Sequence, residues 1–194
     1  MTTTAANIAF DAASHTYTFE GVVLPSVTQM LSETGLVDSS YHTFEAAERG
    51  TTVHQLCTAD DLGHLEDFIR YDQDDLAGYL EGWRRFKNEM KPTFLGIEEV
   101  VYSDRFRYAG TLDRLATING VLWLIDIKAG VPARWHAIQT MLYRMCLEAA
   151  KPVQRGCVYL GEGGRYKLAR HEDEYEDYRI ASAVIALTHW RRKP

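Results

Sequence analysis

The sequence predicts an α/β fold in which helices flank a central mixed sheet, with the element order α-β-β-β-α-β and extra elements at both ends. Three observations predict it. Segments of strand period, Ile97 to Tyr102, Tyr108 to Ile118 and Val121 to Lys128, follow one another in mid-chain. Asn119-Gly120 joins the last two, and it is a strong hairpin signal because both central residues of a type I′ turn need positive φ. Helical period then returns and gives way to a further strand, Gln154 to Gly161.

The elements follow in order. Tyr17 and Phe19 alternate with Thr16 and Thr18, Glu20-Gly21 turns, and Val22-Val23-Leu24 returns as a hairpin. Pro25 stops it. Ser26 caps a helix from Val27 to Thr34, ended by Gly35. A second helix covers Phe44 to Cys57. A third is marked by Leu76, Leu80, Trp83, Phe86 and Met90 at spacings of four and three, with Pro92 after its end. After the three strands, Pro132 opens a helix to about Ala149, with Ile138, Leu142, Met145 and Ala149 on one stripe. Gly163-Gly164 turns into a strand from Arg165 to Arg170, and a last helix spans about Glu172 to Trp190.

Composition sets the class. With 194 residues, 46% hydrophobic and 25% charged, the chain can bury one core, and disorder is not expected. It reads as a single domain, 1–194: a hairpin and helices over 1–95, a sheet and helix over 96–170, and a terminal helix over 171–194. No stretch approaches the roughly 18 apolar residues of a membrane span. Met1 to Asn7 shows no signal pattern. Cys57, Cys146 and Cys157 are few and far apart, so reduced thiols and a cytoplasmic location are expected.

The net charge of -6 argues by itself against nucleic acid. Its distribution argues otherwise. Asp60 to Asp75 carries seven acids and one Arg, so the rest of the chain is neutral. That stretch is expected to be a solvated link between helices. Lys128 to Arg170 holds eight Lys or Arg against Glu148 and Glu162, which predicts a basic surface.

The Asn119-Gly120 hairpin concentrates the chemistry. A two-residue turn sets Ile118 against Val121, which puts Asp113 opposite Asp126 and Lys128 on the same face. The other face holds Leu112, Ala116, Ile118, Val121, Trp123, Ile125 and Ile127, and Leu115, Leu122 and Leu124 accompany the carboxylates. Both faces are therefore covered. Opposed carboxylates repel, and buried charges are costly unless compensated. A plain Asp126–Lys128 ion pair leaves Asp113 unexplained. A divalent cation with hard oxygen ligands accounts for all three.

Gly110-Thr111-Leu112-Asp113, then Asp126-Ile127-Lys128, then Gln139-x-x-x-Tyr143, resemble the signature of the PD-(D/E)XK nucleases. The similarity is to the RecB-like and lambda-exonuclease-like branch. Arg49-Gly50-Thr51-x-x-His54 resembles its first motif, Ile97-Glu98 its acidic position on the first core strand, and Leu24-Pro25-Ser26-Val27-Thr28 the leader of phage- or prophage-type members. The resemblance spans about Thr16 to Ala186. It implies a restriction-endonuclease-like core. It implies Mg²⁺ or Mn²⁺, one or two ions, held by His54, Asp113, Asp126 and the backbone carbonyl of Ile127. It implies Lys128 positioning and deprotonating the attacking water, and Glu98 holding a metal-bound water or a second ion. Arg49, Thr51, Gln139 and Tyr143 would contact DNA or shape the site. Some relatives carry an iron–sulfur cluster on four cysteines; three in another arrangement imply none here.

The implied function is a metal-dependent deoxyribonuclease hydrolysing phosphodiester bonds. An exonuclease of DNA recombination, repair or phage DNA processing is favoured. A structure- or site-specific endonuclease of the same fold is the alternative, as is a catalytically silent DNA-binding module. DNA is the expected partner. Such enzymes can form rings and work beside an annealing protein, and no residue here independently signals a homo-oligomer or that partner.

Overall fold

The computed structural model describes residues 8–37, 44–67, 76–147 and 152–193. Strands β1 (Ile8–Asp11), β2 (Thr16–Phe19) and β3 (Val22–Leu24) form a three-stranded antiparallel sheet. The β2–β3 turn is Glu20-Gly21, both at positive φ. Strand β1 carries too short an alternation to be read from sequence. Helix α1 (Val27–Glu33) begins with a capping box: Gln29 N–H donates to Ser26 Oγ, and Ser26 N–H donates to the Gln29 side chain.

Helix α2 (Phe44–Leu62) runs five residues past the expected Cys57. Those residues include Asp60 and Asp61, whose side chains are buried and ion-paired, not solvated. This corrects the reading of the acidic stretch at its start; residues 68–75 lie outside the described residues. Helix α3 (Ala77–Met90) ends at Lys91, which takes a left-handed conformation.

The main sheet has the order β4 (Thr93–Ser103), β5 (Tyr108–Ile118), β6 (Val121–Lys128), β7 (Val153–Gly161) and β8 (Arg165–His171). Only β6 and β7 are parallel, and helix α4 (Trp135–Cys146) makes the crossover between them. Helix α4 starts at Trp135, later than the expected Pro132, and ends at Cys146, where Leu147 turns extended, short of the expected Ala149; residues 148–151 lie outside the described residues. Helix α5 (Glu174–Arg191) starts at Asp173, whose carboxylate accepts the Glu176 N–H. Asn119 and Gly120 both have positive φ, and pairing from Ile118↔Val121 to Arg114↔Ile125 keeps the register that the turn dictates.

The result is a mixed sheet between two helical layers. Val27, Met30 and Leu31 of α1, Ile138 and Leu142 of α4, and Val184 and Ile185 of α5 pack on one side with Leu115 and Leu124. Val53 of α2 and Trp83 and Phe86 of α3 pack on the other with Ala116, Ile118, Trp123, Ile125 and Ile127. Leu112 departs from the expected alternation: it packs with Leu115 and Leu124. The pleat breaks beside it, because the neighbours Asp113 and Arg114 both reach α2. On the α4 side, fully buried Arg155 of β7 bonds Glu174 and Asp177 of α5 and the Ala137 carbonyl of α4, fastening both helices to the sheet.

Helix α3 lies against the β7–β8 hairpin through two glycines. A Cβ on Gly78 would sit 1.7 Å from the Glu162 carbonyl oxygen, and one on Gly82 2.7 Å from that of Arg165. Helix propensity alone favours alanine at Gly78 by about 1 kcal/mol. The backbone clash reverses the sign. Gly78→Ala is expected to destabilise by about 1–3 kcal/mol, lowering the thermal midpoint by roughly 2–12 °C. Thermal unfolding followed by circular dichroism checks this, and an unchanged or raised midpoint would contradict the packing.

Candidate metal centre

A cavity of about 1110 Å³ opens between α2, the middles of β4 and β5, the end of β6, and α4. Arg49, Thr51 and His54 line it from α2, Glu98 from β4, Asp113 from β5 and Lys128 from β6. Gln139 and Tyr143 line it from α4. Asp126 (1% exposed) and Ile127 (0%) lie behind this surface. The structure thus gathers at one cleft eight of the ten residues that the sequence pointed to.

The floor holds a three-residue cluster. His54, Glu98 and Asp113 each offer a ligand atom, and these atoms all lie within 4.8 Å of one another. Two local distortions aim them. Glu98 sits at φ 51, a left-handed conformation costly for a non-glycine residue. It lies between the ladder pairs Ile97↔Arg114 and Glu99↔Leu112, across from Asp113. The β5–β6 ladder stops at Arg114↔Ile125, and the Ile127 N–H donates instead to Asp113 Oδ2 at 2.6 Å. His54 Nδ1 stands 3.3 Å from that same oxygen.

The electrostatics fit a cation. Burial drives the Glu98 carboxyl above its ordinary pKa, and neighbouring Asp113 adds to the shift. Burial raises Asp126 against the pull of Lys128. Burial works the same way on Asp113, but the His54 imidazole outweighs it and the pKa is lowered. Burial would lower His54, and Asp113 reverses that to a rise. A cation would offset the burial cost that falls on Glu98 and Asp126. One imidazole nitrogen with carboxylate oxygens is a donor set suited to Mg²⁺ or Mn²⁺.

Asp126 and Lys128 form a second group, towards α4. Lys128 Nζ is 2.7 Å from Asp126 Oδ2, donates to Gln139 Oε1 at 2.9 Å, and lies 5.4 Å from the Trp135 ring centre. Burial would lower the lysine, but Asp126 and Asp113 more than offset it and its pKa is raised. In this arrangement it is a donor and a positive charge. Gln139 Nε2 continues the chain to the Tyr143 hydroxyl at 3.5 Å. Gly110 is explained by the same tyrosine: a Cβ there would come within 2.7 Å of the Tyr143 ring. Thr51 bonds back to the Ala47 carbonyl of its own helix, and Arg49 is exposed at the rim.

Sequence reasoning does not reach Arg114, Thr58 or Asp61. Arg114 is fully buried and bonds Asp61, Glu98, Thr58 and the Asp113 carbonyl. An arginine within the run Leu112 to Ala116 is the available signal, since a charge in a strand covered on both faces needs internal partners.

Comparison of the sequence with protein-family models and with curated proteins finds no match. Among solved structures, the chain is similar to a protein of Eubacterium rectale named "Putative exonuclease", with TM-score 0.53 and 10% identity over 87% of this chain and 79% of that one. At that identity the likeness shows the fold. A second structure, SSO0001, aligns over 83% of this chain and 84% of its own with 17% identity, and its TM-score of 0.33 carries no argument.

A cation that binds only the folded chain must stabilise it, by about 2.7 kcal/mol at a hundredfold excess over its dissociation constant. Titrating Mn²⁺ is expected to raise the thermal midpoint, with the rise lost in Asp113→Asn and much reduced in His54→Ala and Glu98→Gln. An equal rise in all four proteins would place the ion elsewhere.

Proposed function

We propose that the cleft is the active site of a metal-dependent DNA nuclease that hydrolyses phosphodiester bonds. One observation carries the reading: residues from four separate elements, His54, Glu98, Asp113 and Lys128, converge at the floor of a single open cleft. A purely structural ion pair does not need three carboxylates, an imidazole and an ammonium at one place. The sequence resemblance assigns those same positions to nuclease chemistry.

His54, Glu98 and Asp113 would hold a divalent ion, with Asp126 adjoining. When bound, that ion would supply Lewis-acid chemistry, lowering the pKa of water and neutralising charge on the phosphate. Lys128, aimed by Asp126 and Gln139, would position the attacking water and help to deprotonate it, as the sequence resemblance implies. Hydrolysis forms a bond from the water oxygen to phosphorus, breaks the bond to the leaving sugar oxygen, and delivers a proton to that oxygen. Gln139, Tyr143, Arg49 and Thr51 would contact the DNA backbone along the cleft walls. Exonuclease action is favoured over internal cleavage by the branch resemblance and by the name of the Eubacterium rectale neighbour.

The test uses single- and double-stranded DNA labelled at the 5′ or 3′ end, with Mg²⁺ or Mn²⁺. Cleavage is expected with metal and lost with EDTA, and a ladder shortening from one end would mark an exonuclease. Asp126→Ala and Lys128→Ala should each lower the rate by about a hundredfold or more. Wild-type protein inert on every substrate removes the reading, and full activity in Asp126→Ala removes the site assignment.

A further inference from the structure

We infer that Thr58 and Arg114, neither of them a metal ligand, are positioning residues that set the ligand geometry of Glu98. The inference rests on the metal site proposed above. Thr58 Oγ1 donates to Glu98 Oε1 at 3.0 Å, and Arg114 Nη1 donates to the same oxygen at 3.0 Å. The two holders are themselves joined, since Arg114 Nη2 donates to Thr58 Oγ1 at 3.0 Å. Both bonds fall on Oε1, which leaves Oε2 as the oxygen for an ion. Arg114 also bonds the Asp113 carbonyl at 2.6 Å, so one guanidinium fixes two of the three candidate ligands.

The geometry needs this support. Glu98 takes a left-handed backbone conformation, which persists only where surroundings over-determine it. It is partly exposed to the cleft, where a long side chain has several rotamers to lose. Arg114 can serve as a fixed anchor because it is itself fixed. Asp61 receives its Nε at 2.8 Å, and Trp83 and Phe94 lie 5.6 and 6.0 Å from its guanidinium carbon. Asp61 is in turn held by Lys87 at 2.6 Å and by the Trp83 indole N–H at 2.9 Å. Asp61 of α2 and Lys87 and Trp83 of α3 thereby reach the ligand set through Arg114. Groups that orient ligands from behind a site change metal affinity or activity by about 10–100-fold when removed.

Thr58 gives the clean test, because valine has the same shape and the hydroxyl alone is deleted. Mn²⁺ binding is measured directly by electron paramagnetic resonance, beside DNA cleavage as a function of Mn²⁺ and the thermal midpoint without metal. Thr58→Val is expected to bind Mn²⁺ about tenfold or more weakly, with cleavage recovering at high Mn²⁺. Thr58→Ser restores tight binding, which a role in packing would not allow. Arg114→Lys keeps a charge but loses the fork, and is expected to weaken Mn²⁺ at least as much. Wild-type affinity in Thr58→Val, or weakness unrelieved in Thr58→Ser, overturns the inference. Wild-type protein that takes up no Mn²⁺ overturns it together with the metal site. Wild-type protein that binds Mn²⁺ but does not cut DNA, with Thr58→Val weakened, supports the positioning role and removes the nuclease reading alone.

Discussion

The buried guanidinium of Arg114 is the constraint around which the sheet, two helices and the cleft floor are arranged. A charge with no exposed surface must be fully partnered, and removing one partner of such a group costs about 3–5 kcal/mol. Its partners come from several elements: Asp61 and Thr58 on α2, Glu98 on β4, and the backbone of β5. Meeting them explains three irregularities at once. Helix α2 continues through Asp61 because that carboxylate is required at the guanidinium. The β5 pleat breaks so that Asp113 and Arg114 face the same helix. Glu98 accepts a left-handed backbone opposite them. A strand of ideal alternation would place Asp113 and Arg114 on opposite faces, and the ligand cluster would not form.

That break marks the limit of what the sequence conveyed. Local rules were sufficient for the hairpin at Asn119-Gly120, the capping box at Ser26, and the period of α3 and β5, because each depends on residues close in the chain. Which residues share the cleft was also legible, through the order of the motifs. The ligand grouping was legible in part: the resemblance put His54 and Asp113 together, and the structure adds Glu98 to that pair and joins Asp126 to Lys128. The reason the rest was not is long-range: a partner 53 residues away in sequence, Asp61, decides which way β5 turns its side chains. No period within β5 encodes that. The acidic stretch misleads for the same reason, since the cations that bury Asp60 and Asp61 lie on α3 and β5.

Charge bookkeeping from sequence needs the same correction. Of the eight cations between Lys128 and Arg170, Arg155 is wholly internal, bound to Glu174 and Asp177, and Lys128 is committed to Asp126. Arg134, Arg165, Lys167 and Arg170 are exposed, but the last three lie on β8 at the far edge of the sheet and none of the four lines the cleft, so the expected basic surface is not at the site. The acids are partly spent as well. Asp60 and Asp61 neutralise Arg84, Lys87 and Arg114, so a share of the negative total never reaches the surface. Net charge is thus a weak guide to what a cleft can hold. The local arrangement matters more: at the floor Glu98 and Asp113 meet His54 and the buried Arg114, with Lys128 paired to Asp126 beside them.

On the nuclease reading, the wall that α2 presents to the cleft would suit an extended ligand, with Arg49 at its rim. Ala46, Ala47, Gly50 and Thr51 recur along one helical face ahead of His54, and all line the cleft. A glycine inside a helix costs about 1 kcal/mol relative to alanine, so one kept there needs a reason. At Gly78 and Gly82 the reason is contact, since a Cβ would strike backbone. At Gly50 a Cβ would meet nothing within 4 Å. Packing therefore does not account for it. Small side chains along this face lower the wall just where a chain threading towards His54 would pass. On the nuclease reading, the same helix does two things: its open face admits a phosphodiester backbone, and its far end, through Thr58 and Asp61, holds the strand residues that would act on it.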